Sequence, residues 1–287
     1  MRVRRHELTD HEWELLTPLI PRAATGRPRV DDRQVINGMV YKIRTGISWR
    51  DLPERYGPWQ TVYTRLRRYA LHGVFNQALQ QVQAEADAAG DIDWPVQIDS
   101  TIVRAHQHAA ATGRKGGASG DETDDHALGR SRGGLTTKIH LACDGKGRPL
   151  AILLTPGQRH DSICARPLLE RVRVPRTGPG RPRCTPDRVV ADKAYSSRGF
   201  RAYLRKRGIA HTIPEKIDQR RHRQAPGRHG GRPPMFDPET YRRRNTVERC
   251  FNRLKGFRGI ATRYEKTATS YEAAVTLASF LIWARSV

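Results

Sequence analysis

Three carboxylates stand at positions where a strongly basic chain could hold a metal ion. Asp99 follows the short strand predicted at 96–98, and Asp192 follows a second short strand with an apolar run. Glu248 is the one acidic residue within the arginine-rich stretch 241–259. Side chains at the ends of adjacent strands meet at one edge of a sheet, where binding sites are commonly built. The pattern therefore indicates that three oxygen ligands converge at such an edge.

Converging carboxylates favour metal-dependent phosphodiester chemistry. Without neutralisation they repel one another and raise one another's pKa values, a cost that divalent cations relieve. Hard oxygen ligands with open positions suit Mg²⁺, with Mn²⁺ able to substitute. Two such ions ~3.5–4 Å apart would activate a water or hydroxyl and stabilise the leaving oxygen. A more ordinary interpretation stays open, because aspartate is common where strands turn and Glu248 could pair with Arg244 four residues earlier.

Helical geometry favours the metal interpretation for Glu248. Asp237 and the proline after it suit the start of a helix that continues through the arginine-rich stretch. At ~100° per residue, four polar residues fall within one stripe ~60° wide; they are Tyr241, Arg244, Glu248 and Lys255. A neighbouring apolar stripe would pack on the sheet: Val247, Phe251 and Leu254. The predicted helix thus presents a carboxylate for metal beside donors for phosphate oxygens.

Residues 1–90 are predicted to form a helical domain. A capping box from Thr9 to Glu12 opens its first helix. A short helix capped by Ser48, a tight turn and a basic helix at 58–73 follow, which is the helix-turn-helix pattern. The basic helix is predicted to point its arginines outward for DNA contact: Arg65, Arg67 and Arg68. The alternative is a small helical bundle with a solvated basic face.

Residues 91–287 are predicted to form an α/β domain, a mixed sheet with helices packed on it. A short strand ends at Asp99, and a hairpin pairs strands at 136–142 and 149–155 across the turn DGKG. Between them, residues 112–134 are predicted to be a mobile loop, with the acidic cluster 121–125 exposed rather than binding a cation.

The remaining elements are a helix after His160, a strand that exits at Asp192, a helix, a strand and a long basic loop at 214–236. An amphipathic helix closes the chain. Asp161 is interpreted as a helix cap rather than a general base, because metal ions would activate the nucleophile directly.

Composition indicates a polyanionic partner. The chain of 287 residues carries 52 Lys and Arg against 29 Asp and Glu, a formal charge of +23 spread along its length. No apolar run reaches the ~18 residues of a membrane span, and the N-terminus lacks a signal-peptide core. The four cysteines form no CxxC pair, which favours reduced thiols over a zinc site. We therefore expect a cytoplasmic, nucleoid-associated protein without a membrane partner.

The motifs also resemble a known family. The spacing Tyr241-(2)-Arg244-(3)-Glu248-(6)-Lys255 is similar to the Y-(2)-R-(3)-E-(6)-K signature of bacterial insertion-sequence transposases of the DDE type. The segments IDSTIVRAH and VVADKAYSS resemble the surroundings of that family's first and second aspartates. LTDHEWELLTPLIP and GISWRDLPERYGPWQTVYTRLRRY resemble the N-terminal domain of the family-five group, within the family-four superfamily. The resemblance covers nearly the whole chain.

This resemblance implies a ribonuclease H-like catalytic core in which Asp99, Asp192 and Glu248 bind two Mg²⁺ ions. Water would attack the phosphodiester at the ends of the element, and the freed 3′-hydroxyl would attack target DNA. The residues implied to grip DNA near the cleaved phosphate are Tyr241, Arg244 and Lys255, with Lys193 as a weaker candidate. The implied partner is double-stranded DNA, both terminal inverted repeats and target, bound by a homodimer or a larger assembly.

Two other functions stay open at this point. One is a non-catalytic DNA-binding regulator that retains the fold, although a regulator has no physical need for three carboxylates on a basic surface. The other is a metal-dependent nuclease without strand transfer, which uses the same groups for its hydrolytic step.

Overall fold

The computed structural model describes residues 4–21, 29–109, 126–131, 134–229 and 231–286. The acidic cluster at 121–125 and most of the predicted loop at 112–134 lie outside these ranges. Within that loop, however, Gly129–Ser131 form a strand, so the loop prediction is wrong for those residues.

The N-terminal region is helical, as predicted. Its helices within the described ranges are α1 (Asp10–Leu16), α2 (Asp32–Thr45), α3 (Trp59–Leu71) and α4 (Val74–Ala88). The capping box is confirmed, because the Glu12 amide donates to Thr9 Oγ1 and the Thr9 amide donates to Glu12 Oε2. Ser48 caps a 3₁₀ turn, Trp49–Asp51, where the sequence predicted a short α-helix. A second 3₁₀ turn, Glu54–Tyr56, completes the connection to α3.

A mixed sheet forms the second region. Its described strands are β1 (Pro95–Ala105), β2 (Gly129–Ser131), β3 (Gly134–Cys143), β4 (Pro149–Pro156), β5 (Arg188–Ala191), β6 (Ala210–Thr212) and β7 (Thr262–Arg263). The strands β4, β3 and β1 are antiparallel, whereas β5 and β6 continue the sheet in parallel with β1. The short strands β2 and β7 pair with β3 and β1. The predicted hairpin across DGKG is confirmed by the pairing of β3 with β4.

The first strand is much longer than the sequence indicated. It does not end at Asp99 but continues to Ala105, and Asp99 pairs with Leu141 in its middle. The extra residues pair with β3 as far as Arg104. A distant strand thus provides the ladder that local propensity did not predict.

The helices of the second region are α5 (Asp161–Glu170), α6 (Arg198–Lys206), α7 (Ile217–Gln224), α8 (Pro238–Arg242), α9 (Asn245–Lys255), α10 (Arg258–Ala261) and α11 (Ala268–Ala284). The basic segment 214–236 is therefore not one loop, because α7 lies inside it. Helix α11 is also not amphipathic. It is buried on all sides, since it fills the space between α3, α4 and the sheet.

The helical region and the sheet share one hydrophobic core. Trp283 of α11 donates from Nε1 to the Pro149 carbonyl at 2.6 Å, and Arg148 stacks 4.0 Å from the Trp283 ring. Lys42 of α2 forms a buried ion pair of 2.5 Å with Glu265. No helix in the described ranges is both long and apolar enough to cross a membrane.

Gly259 marks the closest approach of the two regions. A Cβ at this position in α10 would lie 3.0 Å from the Cα and the carbonyl oxygen of Ile43 in α2. Both neighbours are backbone atoms, which cannot rotate away. The absence of a side chain at Gly259 therefore permits α10 to pack directly on α2.

We predict that Gly259→Ala lowers the free energy of unfolding by about 1–3 kcal/mol, because the added methyl forces α10 away from α2. Gly199→Ala is the matched control, since a Cβ at Gly199 in α6 meets nothing within 4 Å. That control should be neutral or gain up to about 1 kcal/mol from helix propensity. Urea titrations monitored by circular dichroism measure both, and equal effects of the two substitutions would contradict the packing argument.

Candidate active site

Asp99 and Asp192 occupy equivalent positions on neighbouring parallel strands. Ile98 of β1 pairs with Ala191 of β5, so that each aspartate is the next residue in register. Each carboxylate is also oriented by its own local backbone. The Ser100 amide donates to Asp99 Oδ1 at 2.8 Å, and the Ala194 amide donates to Asp192 Oδ1 at 2.8 Å. The structure thus brings the two aspartates together, although Asp99 lies within its strand rather than at its end as the sequence predicted.

The pKa of Asp99 reflects its burial and its closeness to Asp192. Burial raises the pKa of Asp99 above its ordinary value, and the nearby charge of Asp192 adds to the rise. The Ser100 amide and Arg244 oppose it without cancelling it. Asp99 therefore carries an ionised carboxylate only at a cost, which a cation would relieve.

Arg244 links Asp99 to the third carboxylate. Its Nη1 donates to Asp99 Oδ2 at 2.7 Å and its Nη2 donates to Glu248 Oε1 at 2.5 Å. Burial alone would lower the pKa of Arg244, but the charges of Asp99 and Glu248 raise it. The structure shows the ion-pair alternative for Glu248, and Arg244 links that carboxylate to Asp99.

The donor set suits a hard divalent cation, but its geometry is not closed around one. In the part of the chain that the structure describes, no three Asp, Glu, His or Cys side chains form a group that could hold a metal ion. The Arg244 guanidinium instead supplies the positive charge between Asp99 and Glu248. The three carboxylates can act as one ligand set only if Arg244 moves.

Helix α9 lies along one face of β1 and is attached there by alternate residues of the strand. Gln97 Oε1 accepts a buried hydrogen bond from the Val247 amide at 3.1 Å. Asp99 accepts from Arg244, and Thr101 Oγ1 accepts from Lys255 Nζ at 2.6 Å. Because alternate residues of a strand share a face, these contacts fix α9 against β1. The predicted apolar stripe is buried in the same contact: Val247, Phe251 and Leu254.

The single helix expected after Asp237 is broken. Asp237 does cap a helix, but α8 ends at Arg242 and α9 begins at Asn245. Between them the Arg244 amide donates to the Tyr241 carbonyl and the Val247 amide to the Arg244 carbonyl, which are tighter i to i+3 bonds. The ideal helical spacing therefore does not continue across the break, yet Arg244 and Lys255 contact β1 and Tyr241 stays near Arg244.

The other predicted phosphate contacts lie around this site. Tyr241 is half-buried with its ring 5.2 Å from that of Phe236, and its proximity helps to raise the pKa of Arg244. Lys193 is exposed directly after Asp192. Burial lowers the pKa of Lys255 below its ordinary value. Of these side chains, Lys255 contacts Thr101, two residues from Asp99 on β1, and Tyr241 lies near Arg244.

One of the three arginines predicted to point outward from α3 is buried. Arg65 is 7% exposed and donates from Nη1 to Asp32 Oδ1 at 2.6 Å, so its outward placement was wrong. The sequence did carry a signal, because Arg65 belongs to the i, i+3, i+4, i+7 series of core positions with Val62, Leu66 and Tyr69. Arg68 is exposed as predicted, and Arg67 is half-buried.

A second polar network lies on the opposite face of β1, and the sequence did not reveal it. Asp161 is not a helix cap, since its Oδ1 accepts from Ser100 Oγ at 2.7 Å and Lys138 Nζ at 3.0 Å. Burial would raise the pKa of Asp161, but these two donors hold it below its ordinary value. Burial lowers the pKa of the neighbouring His140 to about 4. The network fixes Ser100, whose amide in turn orients Asp99.

Tyr195 lies between these two groups. Its side chain is 1% exposed and its hydroxyl has no hydrogen-bond partner within the described ranges. Burial raises the pKa of Tyr195, and the charges of Asp99 and Asp161 add to the rise. The sequence offered one signal that Tyr195 belongs to the site: it lies three residues after Asp192.

The sequence was compared with families and curated proteins. A family model described as "Transposase DDE domain" matches residues 93–283, and one described as "Putative transposase of IS4/5 family" matches residues 8–79. "Uncharacterized protein y4sN" of Sinorhizobium fredii is 41% identical over 113 residues, which are 38% of this chain and 86% of that protein.

Two relatives carry transposase names. "Putative transposase for insertion sequence element IS6501" of Brucella ovis is 34% identical over 151 residues, 53% of this chain and 100% of that protein. "Putative transposase for insertion sequence element IS402" of Burkholderia cepacia is 30% identical over 161 residues, 56% of this chain and 68% of that protein.

The pKa shifts of Asp99 and Asp161 have opposite directions. They therefore predict that replacing each residue by asparagine changes the free energy of unfolding in opposite directions. The raised pKa means that ionised Asp99 costs folding energy above that pKa, so Asp99→Asn should raise the free energy of unfolding at about pH 7. This gain should vanish by about pH 3, where the parent carboxyl is protonated in both states.

For Asp161 the lowered pKa stabilises the native state above the unfolded value, and this stabilisation is lost as pH falls through the native pKa. Asp161→Asn should therefore lower the free energy of unfolding at about pH 7 and lose most of that effect by about pH 3. Urea titrations with a chelator present measure both variants. Shifts of the same sign at about pH 7 would contradict the assignment.

Proposed function

The chain belongs to the DDE transposase family, and on that premise we propose that it moves an insertion sequence. In this proposal it binds terminal inverted repeats, cleaves DNA strands beside them and joins the freed 3′-hydroxyl to target DNA. The observation that carries the proposal is the register of Asp99 and Asp192 on parallel strands, with Arg244 tying Glu248 to Asp99. The ribonuclease H-like fold supports our assignment of all three carboxylates to one site.

DDE transposase domains use divalent metal ions, and we assign that role here to Mg²⁺ at Asp99, Asp192 and Glu248, with Mn²⁺ able to substitute. When bound, two such ions supply activation of the attacking oxygen and neutralisation of charge on the leaving oxygen. The carboxylate chemistry fits hard cations. The buried Asp99, whose pKa is raised, is the member that gains most from a nearby positive charge.

Arg244 has two kinds of partner in this mechanism: the carboxylates in the free protein and a DNA phosphate in the complex. In the free protein its guanidinium neutralises Asp99 and Glu248. Guanidinium binds phosphate oxygens with the same two-pronged geometry that it uses for carboxylates. A DNA phosphate that enters the site would draw Arg244 away from the carboxylates and free them to act together. Tyr241, Lys255 and Lys193 would hold the flanking phosphates.

We assign recognition of the DNA ends to residues 1–90 and catalysis to residues 91–287. The exposed Arg68 and the half-buried Arg67 of α3 are the proposed contacts of the first region, while Arg65 stabilises it through Asp32. The charge of +23 favours duplex binding over a wide surface. Because two ends must be held together, the active assembly is proposed to be a homodimer or larger.

We predict that Asp192→Asn abolishes Mg²⁺-dependent cleavage of DNA that carries the terminal repeats, with a loss of at least about 10²- to 10³-fold. The amide retains an oxygen for the Ala194 hydrogen bond but loses the charge. Binding, measured by fluorescence anisotropy, should stay within about twofold of the parent because the loss of one ligand charge leaves the surrounding donors in place.

Asp187→Asn is the control for this substitution, because Asp187 is an exposed aspartate paired with Arg183. It should cleave as the parent does. Undiminished cleavage by Asp192→Asn would contradict the mechanism. Cleavage without joined products in the parent would identify a nuclease that lacks strand transfer.

The two arginines of α3 should separate binding from stability. Arg68→Gln should weaken duplex binding and reduce the slope of log K against log salt concentration by about 0.9. Arg65→Gln should instead lower the free energy of unfolding by about 1–3 kcal/mol, because it disrupts the buried contact with Asp32.

The control is Arg166→Gln, because the Arg166 guanidinium is already paired with Glu170 on α5. Its salt slope should match the parent. If the Arg68 variant also kept the parent slope, α3 would be excluded from DNA recognition.

A further inference from the structure

A second concave site lies between the helical region and the sheet region. It is a cavity of about 840 Å³, within the range of small-molecule sites. Trp49, Trp59 and Tyr63 line one wall, and His106 and Tyr264 line the other. The two walls come from opposite sides of the shared core, so the cavity exists only because the regions pack together.

The cavity walls are aromatic. The Trp49 and Tyr63 rings lie 5.5 Å apart at 66°, and the His106 and Tyr264 rings lie 5.0 Å apart at 36°. None of these rings is fully buried. Aromatic rings that keep accessible surface around a cavity can stack on a flat heterocycle, an interaction that tolerates any nucleobase.

A buried ion pair with spare hydrogen-bonding capacity also lines the cavity. Lys42 and Glu265 have side chains 1% and 3% exposed and meet at 2.5 Å. The Lys42 ammonium lies 5.3 Å from the Trp49 ring centre and 5.2 Å from that of Tyr264. Glu265 Oε2 has no hydrogen-bond partner among the described residues. A buried acceptor without a partner is costly, and a ligand N–H would relieve that cost.

The rim of the cavity is basic. Arg50 and Lys266 are exposed there, and the only lining carboxylate in the described ranges, Glu265, is already paired. Helix α11 begins at the same place, with Thr267 as its N-cap and Ser270 in its first turn, both at the cavity. A helix N-terminus beside two cations favours a phosphate group.

We propose that this cavity binds one unstacked nucleobase together with the phosphate attached to it. Stacking on the aromatic walls would hold the ring. The Watson–Crick edge of every base carries both an N–H donor and an acceptor, which match Glu265 Oε2 and the Lys42 ammonium. This site rests on the DNA substrate of the proposed function, although a free nucleotide presents the same chemistry.

The position of the cavity relates it to the cleaved phosphate. Ala105, next to His106, lies six residues beyond Asp99 on β1. At about 3.3 Å per residue that is roughly 20 Å, or about six base-pair steps. A base bound in the cavity would therefore lie roughly 20 Å from the carboxylates. The site would fix the DNA without contacting the reacting atoms.

The test uses the full chain, a chelator and three duplexes of one sequence. The first is fully paired, the second carries a single bulged 2-aminopurine, and the third carries an abasic bulge. The duplex with the bulged 2-aminopurine should bind about tenfold more tightly than the fully paired duplex or the abasic duplex. The fluorescence of its 2-aminopurine should be quenched by stacking.

Tyr63→Ala and Trp59→Ala should each remove this preference. Tyr203→Ala should keep it, because Tyr203 lies on α6, away from the cavity. Deoxyadenosine monophosphate is titrated separately to distinguish a free nucleotide from a base in DNA.

Each outcome decides the proposal. A preference for the bulged base that Tyr63→Ala removes supports a base within DNA. Binding of the mononucleotide that Tyr63→Ala removes, without a bulge preference, supports a free nucleotide as the source. Equal binding of all three duplexes with no mononucleotide binding would overturn the site while leaving the proposed transposase function intact. Failure to bind any duplex would count against the proposed function instead.

Discussion

The contact between α9 and one face of β1 is the constraint on which the site depends. Gln97, Asp99 and Thr101 each hold a group that belongs to α9 or its first turn. The Gln97 bond is buried and joins the first turn of α9 to the sheet. Through this contact Arg244 links a carboxylate of a late helix to the first strand of the sheet. Without it, Glu248 would be one more side chain on a solvated basic helix.

Charge balance explains why the same contact includes Arg244. Asp99 is partly buried near the charge of Asp192, and this burial makes its ionised form costly. The guanidinium offsets that cost in the free protein, and phosphate is the natural competitor for it. The basic surface that brings DNA to the site would therefore also supply the group that frees the carboxylates. On the opposite face, the network of Asp161 and Lys138 holds the strand that carries Asp99.

Local structure could be predicted from the sequence, whereas pairing between distant segments could not. The caps at Thr9 and Asp237, the hairpin turn and the exit of β5 at Asp192 depend on neighbouring residues, and each was predicted correctly. The extension of β1 past Asp99 depends on β3, and the break before α9 accompanies contacts with Asp99 and Gln97. Helical spacing places Arg65 among the core positions of α3, but its charge led to the prediction of an exposed side chain. Convergence of the three carboxylates was expected from the strand ends and the family resemblance, and a pair between Glu248 and Arg244 was the open alternative. The additional bond from Arg244 to Asp99 was not expected.

Affinity cleavage by bound Fe²⁺ tests the central claim most directly, because hydroxyl radicals made at the metal cut the nearest backbone. The full chain is assembled on DNA with Fe²⁺ in place of Mg²⁺, treated with ascorbate and peroxide, and its fragments are mapped. The account predicts cuts near Asp99, Asp192 and Glu248 on three separate elements, all suppressed by excess Mg²⁺. Cuts confined to β1 and β5, with none on α9, would contradict the assignment of Glu248 as the third ligand.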